Sequence, residues 1–293
     1  MDLKLNQMSY LPLHFFTIVL NGEPFIRYHI EVFKQLKQPW HWHIIEGVAE
    51  LVHDTGWSKQ NGGSIAASFH KNGRSIDGTS GYLDSLTRDY PNQVTVYRKP
   101  EGAFWDGKLE MVNAPLENLP EEAILMQIDV DECWTATQLS TLHELFQSKP
   151  HKSAAWFWCW YFVGPELIVS TRNTYGGNSD YEWLRAWRYQ KGCTWKAHEP
   201  PTLLNTQGQD LGRLNPILHH ETEANDLIFQ HFSYVTEDQL AFKEQYYGYQ
   251  GAIESWKNLQ KQSSFPIYLK NYFPWVTDQA QVCRAADYFV SPL

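Results

Sequence analysis

The sequence predicts an α/β fold: a doubly wound, mostly parallel sheet flanked by helices, followed by a second half rich in aromatic residues. Three observations predict it. Strand-like runs alternate with stretches of helical spacing through the first 150 residues. The first of these runs, residues 14–20, is apolar throughout rather than alternating, as in a strand buried on both faces. Each of the principal runs ends in a polar or acidic residue, at the end of the strand where such sheets bind ligands.

Residues 14–20 are the first such run, and Asn21-Gly22-Glu23-Pro24 stops it with a turn and a helix start. Phe25, Ile26, Ile30, Phe33 and Leu36 then recur at helical spacing. Residues 42–45 form a second strand ending at Glu46-Gly47, in which His41 and His43 alternate with Trp40 and Trp42. Residues 55–81 are rich in Gly, Ser and Asn and read as a long loop or flap. A helix over 82–89 and a strand over 94–97 follow. Next come a helix over 108–118, with Leu109, Val112 and Leu116 on one side, and a strand over 123–128 that runs into Asp129-Val130-Asp131-Glu132. A helix over 135–147 closes the first half. Beyond it, 154–163 and 181–189 are strand-like, and 236–247 and 252–262 are helical. No repeat or clear linker interrupts the chain. It reads as one domain over 1–293, with halves 1–150 and 151–293.

Composition narrows the partners. With 24 Lys+Arg against 33 Asp+Glu the net charge is −9, which argues against nucleic acid or an anionic membrane as the main partner. No run of about 18 apolar residues exists, so no transmembrane segment is expected. The segment 11–20 lacks the flanks of a signal peptide. Cys133, Cys159, Cys193 and Cys283 are scattered, with no CxxC, which reads as reduced thiols in a cytoplasmic protein. The 13 Trp, 16 Tyr and 15 Phe exceed what a core of this size calls for, and suggest stacking on flat ligands such as sugars or bases.

The acidic turn carries the sharpest chemistry. In strand-like geometry Asp129 and Asp131 point the same way and converge, and a hard cation such as Mg²⁺ or Mn²⁺, shared with substrate phosphates, relieves their repulsion. A solvated acidic turn at a strand end is the alternative. Five segments then recur in one order: Asn21-Gly22-Glu23, Ile45-Glu46-Gly47, Asp77-Gly78-Thr79, Lys108 to Asn113, and Asp129-Val130-Asp131-Glu132. This ordered set resembles the nucleotide-sugar half of family-2-like glycosyltransferases of the GT-A fold, over about residues 14 to 147. The resemblance implies that Glu46, helped by Glu23, contacts the ribose or base and that Lys108 faces the diphosphate. It places Asp129 near the ribose or metal and makes Asp131 a metal ligand. Asn21 and Asp77 belong to the same donor-binding set. The chain departs from the pattern in the insertion 48–74, which puts the role of Asp77 in doubt and reads as an acceptor-binding flap.

In the second half, Trp183, Arg185, Trp187 and Arg188 precede Trp195-Lys196-Ala197-His198-Glu199, similar to an "R-x-x-R … W-x-x-x-H-E" stretch of related bacterial transferases. An inverting transferase needs a carboxylate base. Glu199 is the first candidate, with Asp180 and Glu182 in reserve. Arg185 and Arg188 are candidates for phosphate, since Arg forms bidentate contacts, or else they pair with the acidic surface. His231, before a helix, resembles the late histidine that completes many GT-A metal sites; a hydrogen-bonded core histidine is the other reading. Trp156, Trp158 and Trp160 share a strand face that is either core or a sugar-stacking wall. The whole predicts a transferase using Mn²⁺ or Mg²⁺, a UDP- or GDP-sugar and a glycan or other hydroxyl acceptor. A sugar nucleotidyltransferase and a lectin-like carbohydrate-binding protein are the alternatives.

Overall fold

The computed structural model of the 293-residue chain describes residues 10–50, 65–169 and 183–292. In chain order the strands are β1 (Leu13–Val19), β2 (Trp40–Glu46), β3 (Ala49–Glu50), β4 (Val94–Arg98), β5 (Trp105–Asp106), β6 (Glu122–Gln127), β7 (Glu132–Cys133) and β8 (Ala154–Trp156). They continue with β9 (Trp158–Phe162), β10 (Leu167–Val169), β11 (Leu184–Gln190), β12 (Thr194–Ala197), β13 (Thr202–Leu204), β14 (Ile228–His231), β15 (Ile267–Tyr268) and β16 (Gln281–Arg284). The helices are α1 (Ile26–Phe33), α2 (Thr79–Asp89), α3 (Gly107–Asn113), α4 (Ala136–Ser148), α5 (Leu211–Leu214), α6 (His219–Glu223), α7 (Glu237–Tyr247) and α8 (Ala252–Gln260).

The main sheet has the order β4-β2-β1-β6-β11-β8. Its first four strands are parallel, with the buried apolar runs of β1 and β6 at the centre, and β11 and β8 extend it through antiparallel pairings. The fold class is therefore a mixed α/β one with a large, mostly parallel sheet. One contiguous cluster of buried apolar side chains runs from Leu11 to Val282. Within it Phe15 of β1 stacks on Phe33 of α1 at 4.1 Å. Burying one such ring stabilises by about 1.5–3 kcal/mol. Cys133, Cys159, Cys193 and Cys283 are buried and none is in a disulfide. Among the described residues no helix is long and apolar enough to cross a membrane.

The expected strand 154–163 is broken at Phe157. Its first part joins the main sheet, and β9 starts a second six-stranded sheet of order β15-β16-β10-β9-β14-β7. Trp156, Trp158 and Trp160 still share a half-buried face, packed on His219 and Tyr288. The opposite face is buried, and from it Tyr161 approaches His231 at 5.0 Å. The helix expected over 108–118 ends at Asn113 and resumes as a single 3₁₀ turn at Leu116–Asn118, because Pro115 cannot continue the α-helical hydrogen bonds.

Trp40 and Trp42 are buried on one face of β2, and His41 and His43 lie on the other beside His14 of β1. His14 Nδ1 and His43 Nε2 are 2.9 Å apart, and His43 Nδ1 meets the Tyr97 hydroxyl at 2.9 Å. Burial, with the charge of His41 adding to it, lowers His14 to about 4 and His43 to about 2. Both lie below the unfolded value of 6.5, so the unfolded chain binds protons first. Stability is fully present above about pH 6.5 and falls as the pH drops toward 4, with a slope of about 1.4 kcal/mol per pH unit for each histidine. Urea midpoints between pH 7 and 4.5 should therefore fall steeply in the wild type, and His43→Gln should flatten the slope by about one proton.

Candidate active site

The carboxyl ends of β1, β2 and β6 meet at one edge of the main sheet. Thr17 of β1 fixes the last turn of this edge: its hydroxyl donates to the Ile128 carbonyl at 2.7 Å and accepts from Trp42 Nε1 at 2.9 Å. Asp129 therefore leaves the sheet beside the ends of its neighbours.

Asn21, Glu23 and Asp77 tie two segments together. Asn21, in the left-handed region at φ +58°, donates to the Phe69 carbonyl and accepts from the Ile76 N–H. Asp77 accepts from the backbone N–H groups of Glu23 and Thr79, and the Glu23 carboxylate pairs with Arg27. Glu46 is fully buried. Its carboxylate accepts from Ser75 N–H at 3.2 Å, from Arg98 Nε at 2.6 Å and from the Ser80 hydroxyl. The chain thus returns after the insertion and sets Ser75 and Ser80 against Glu46, although residues 48–74 lie between. Residues 51–64 of that insertion are outside the described residues.

The acidic segment is a turn rather than a continued strand. Glu132 N–H donates to the Asp129 carbonyl at 3.0 Å, and the two aspartates have separate partners. The turn replaces the strand geometry expected here, while the two carboxylates remain close enough to feel each other's charge. Asp129 accepts from Gln127 at 3.0 Å and lies 3.4 Å from Arg185. Glu132, fully buried, forms a bidentate pair with Arg185 at 2.7–3.0 Å. Burial pushes the Glu132 carboxyl above its usual range against the pull of Arg185, whereas Asp129, also opposed by burial, is held below it by Arg185 and His198.

Asp131 faces the second sheet. β7 pairs antiparallel with β14, putting His231 opposite Glu132, and Phe232 N–H donates to the Asp131 carbonyl. This register brings His231 Nε2 to 3.4 Å from Asp131 Oδ1. The other oxygen, Oδ2, accepts from Gln239 at 3.2 Å. Burial opposes the charge on Asp131, and His231 and Lys243 outweigh it to hold the carboxyl low. His231 Nδ1 is buried with no hydrogen-bond partner among the described residues. Trp183, at φ +63°, sets its ring edge-on to His231 at 5.0 Å and beneath the Arg185 guanidinium. A bulky side chain in that backbone region is strained, a condition that clusters at functional sites.

Glu199 follows β12 and lies 3.4 Å from Lys108 of α3. Burial raises the Glu199 carboxyl, but Lys108 and His198 prevail and hold it low. Lys108 is driven down by burial and more strongly up by Glu199, so its ammonium is firmly charged. Glu199 Oε2 is a buried oxygen with no hydrogen-bond partner among the described residues.

Arg188 does not join this group. Its guanidinium donates to the carbonyls of Phe146, Lys149 and Lys152 and so caps the end of α4. Arg188 lies three residues along β11 from Arg185, and its commitment to these backbone carbonyls corrects its expected phosphate role. Asp180 and Glu182 lie outside the described residues.

Sequence reasoning missed Gln239 and Lys243. The capping box of Thr236 and Gln239 starts α7 just after His231, and the i, i+4 spacing sets Lys243 on the face of Gln239. Lys243 Nζ donates to Ser233 at 3.2 Å and lies over the Tyr234 ring at 4.7 Å. It makes no ion pair with a described carboxylate. Burial lowers its pKa, and Asp131 opposes that. A half-buried cation with a lowered pKa beside Asp131 makes Lys243 a further candidate for the site.

Among the described residues no group of three or more His, Cys, Asp or Glu could hold a metal ion by itself. Asp131 and His231 nevertheless offer one oxygen and one nitrogen along a single edge, 3.4 Å apart. That set fits Mn²⁺ or Mg²⁺ of the kind that takes its remaining ligands from substrate phosphates and water. Asp129 is diverted to Arg185.

No protein-family model matches the chain, and no curated protein matches it. Solved structures resemble it distantly. The mannosyltransferase PcManGT from Pyrobaculum calidifontis, in complex with GDP-Man and Mn²⁺, is 12% identical with a TM-score of 0.43, over 88% of this chain and 67% of that one. TarS of S. aureus is 9% identical with a TM-score of 0.39, over 61% of this chain and 28% of that one. A 4-diphosphocytidyl-2C-methyl-D-erythritol synthase is 11% identical with a TM-score of 0.35, over 86% of this chain and 99% of that one. The chain spans less than a third of the length of that TarS structure. At these scores the likenesses assign no activity to the chain.

Proposed function

We propose that the chain is a metal-dependent glycosyltransferase that moves a sugar from a UDP- or GDP-sugar to an acceptor hydroxyl with inversion. The observation that carries this reading is the junction at the end of β6. There the acidic turn, His231, the Lys108–Glu199 pair and Lys243 adjoin one another where the main sheet meets the second. The halves 1–150 and 151–293 act as one unit, the first holding the donor and the second the acceptor.

Asp131 and His231 would hold Mn²⁺ or Mg²⁺, which when bound neutralises charge on the leaving diphosphate. Lys108 and Lys243 supply fixed positive charge to that diphosphate. Glu46 keeps Ser75, Ser80 and Arg98 in place around the nucleoside, and Asn21, Glu23 and Asp77 brace the same segment. Asp129, oriented by Arg185 and Gln127, faces the ribose or the metal. Glu199 takes the proton from the acceptor hydroxyl as its oxygen attacks the anomeric carbon. The bond from that carbon to the diphosphate breaks, and the nucleoside diphosphate leaves with the electron pair.

The site gives the nucleotidyltransferase alternative little support. The turn after β1 lacks a basic, glycine-rich loop, and its Gly22 N–H is committed to Thr79. A nucleotide-release assay across UDP- and GDP-sugars with Mn²⁺ tests the proposal. Release with at least one donor is expected. Release of pyrophosphate from nucleoside triphosphate and sugar phosphate, with no release from any nucleotide sugar, would overturn it.

A further inference from the structure

Two residues that the reaction needs apart are held together. Lys108 Nζ lies 3.4 Å from Glu199 Oε1, a distance that screens the carboxylate meant to accept a proton and occupies the ammonium meant to meet phosphate. The pair is lined by Tyr246 and Tyr247: Lys108 stands 5.9 Å from the Tyr246 ring centroid, and Tyr247 feels the charges of both Lys108 and Glu199. Both partners are partly accessible, Lys108 at 17% and Glu199 at 36% of the side chain, so an incoming anion can reach the ammonium from the site. The second carboxylate oxygen, Oε2, is left with no hydrogen-bond partner among the described residues, open to a further donor.

We infer that Lys108 is a shared charge that passes from Glu199 to the donor diphosphate. With no donor bound, Lys108 neutralises Glu199. When the diphosphate enters, it competes for the same ammonium, and Glu199 is released to accept a hydrogen bond from the acceptor hydroxyl. Donor binding thereby arms the base, and the productive order is donor before acceptor. The exchange is a transfer of an ion-pair partner, with no covalent change. It rests on the transferase reading above, because it takes Glu199 as base and a nucleoside diphosphate as the anion. Lys108 acts here as a positioning residue for Glu199.

The test is calorimetric titration of UDP and of GDP, with Mn²⁺ present, into wild type, Glu199→Gln, Lys108→Gln and the double variant. Glu199→Gln should bind the nucleoside diphosphate about fivefold more tightly than wild type, the scale of a partly exposed ion pair that no longer has to be broken. Glu199→Ala should tighten binding in the same way, which guards against a packing defect peculiar to one side chain. On the Lys108→Gln background the Glu199 substitution should change affinity little. Equal or weaker binding by Glu199→Gln overturns the inference. So does a tightening that persists without Lys108, because that reports only the removal of a negative charge. If neither nucleotide binds wild type, the transferase reading itself fails. If both nucleotide and metal bind but the tightening is absent, only the exchange is refuted.

Discussion

Arg185→Met should destabilise the protein by about 3–5 kcal/mol, the cost of leaving a buried carboxylate without its partner. Arg185 is 8% exposed and Glu132 not at all, and they share a bidentate contact. The loss should depend on pH in a fixed direction. Burial raises the Glu132 carboxyl, with Arg185 opposing it, so removing Arg185 raises it further. A carboxyl whose folded pKa lies above its unfolded value contributes stability below the unfolded pKa and loses it as the pH rises through the folded one. The deficit of the variant measured by urea unfolding should therefore be smaller at pH 5 than at pH 8. Adding Glu132→Gln should recover most of it, since no buried charge remains. A deficit that is equal at both pH values, and unrelieved in the double variant, contradicts this account of the pair.

Asp131→Ala should lower transfer by about 10²–10³-fold in kcat, the loss usual when one preorganised charge-stabilising group is removed from a site. Its two carboxylate oxygens meet His231 and Gln239 rather than a structural arginine. The fold should tolerate the change, because the Asp131 carbonyl, not its side chain, accepts the hydrogen bond that joins the acidic turn to the segment after β14. A melting temperature near the wild-type value together with loss of both transfer and donor hydrolysis is the expected pair of results. Intact transfer in the folded variant contradicts the assigned role.

Much of the donor half was legible in the sequence because a parallel strand buried on both faces reads as an unbroken apolar run. β1 and β6 carry that mark, and the residues at the ends of β1, β2 and β6 fall at one edge. The second sheet was not legible. It is built from short strands such as β7 and β14, two and four residues long, whose partners are about a hundred residues away in sequence. The same long-range pairing explains why Glu132 read as part of an acidic cluster when its environment is Arg185. The expected strand geometry of Asp129 and Asp131 gives way to a turn closed by one backbone hydrogen bond, a local feature that strand periodicity does not announce. His231 is marked by its context before a helix, whereas Lys243 lies further along that helix with no motif to single it out. The aromatic residues of the second half proved largely self-packing: Tyr249 and Trp275 stack face to face at 4.4 Å, with Phe273 beyond them. Trp183 and Tyr161 both lie 5.0 Å from the His231 ring, beside the chemistry.

The central claim is that the acidic turn and His231 form a metal-assisted nucleotide-sugar site. It is tested most directly by isothermal titration of UDP- and GDP-sugars into wild type and Asp131→Ala, with and without Mn²⁺. The account predicts that wild type binds one of the two series only when Mn²⁺ is present, and that Asp131→Ala loses this metal dependence. Binding of free glycans with no metal-dependent binding of any nucleotide sugar would contradict it.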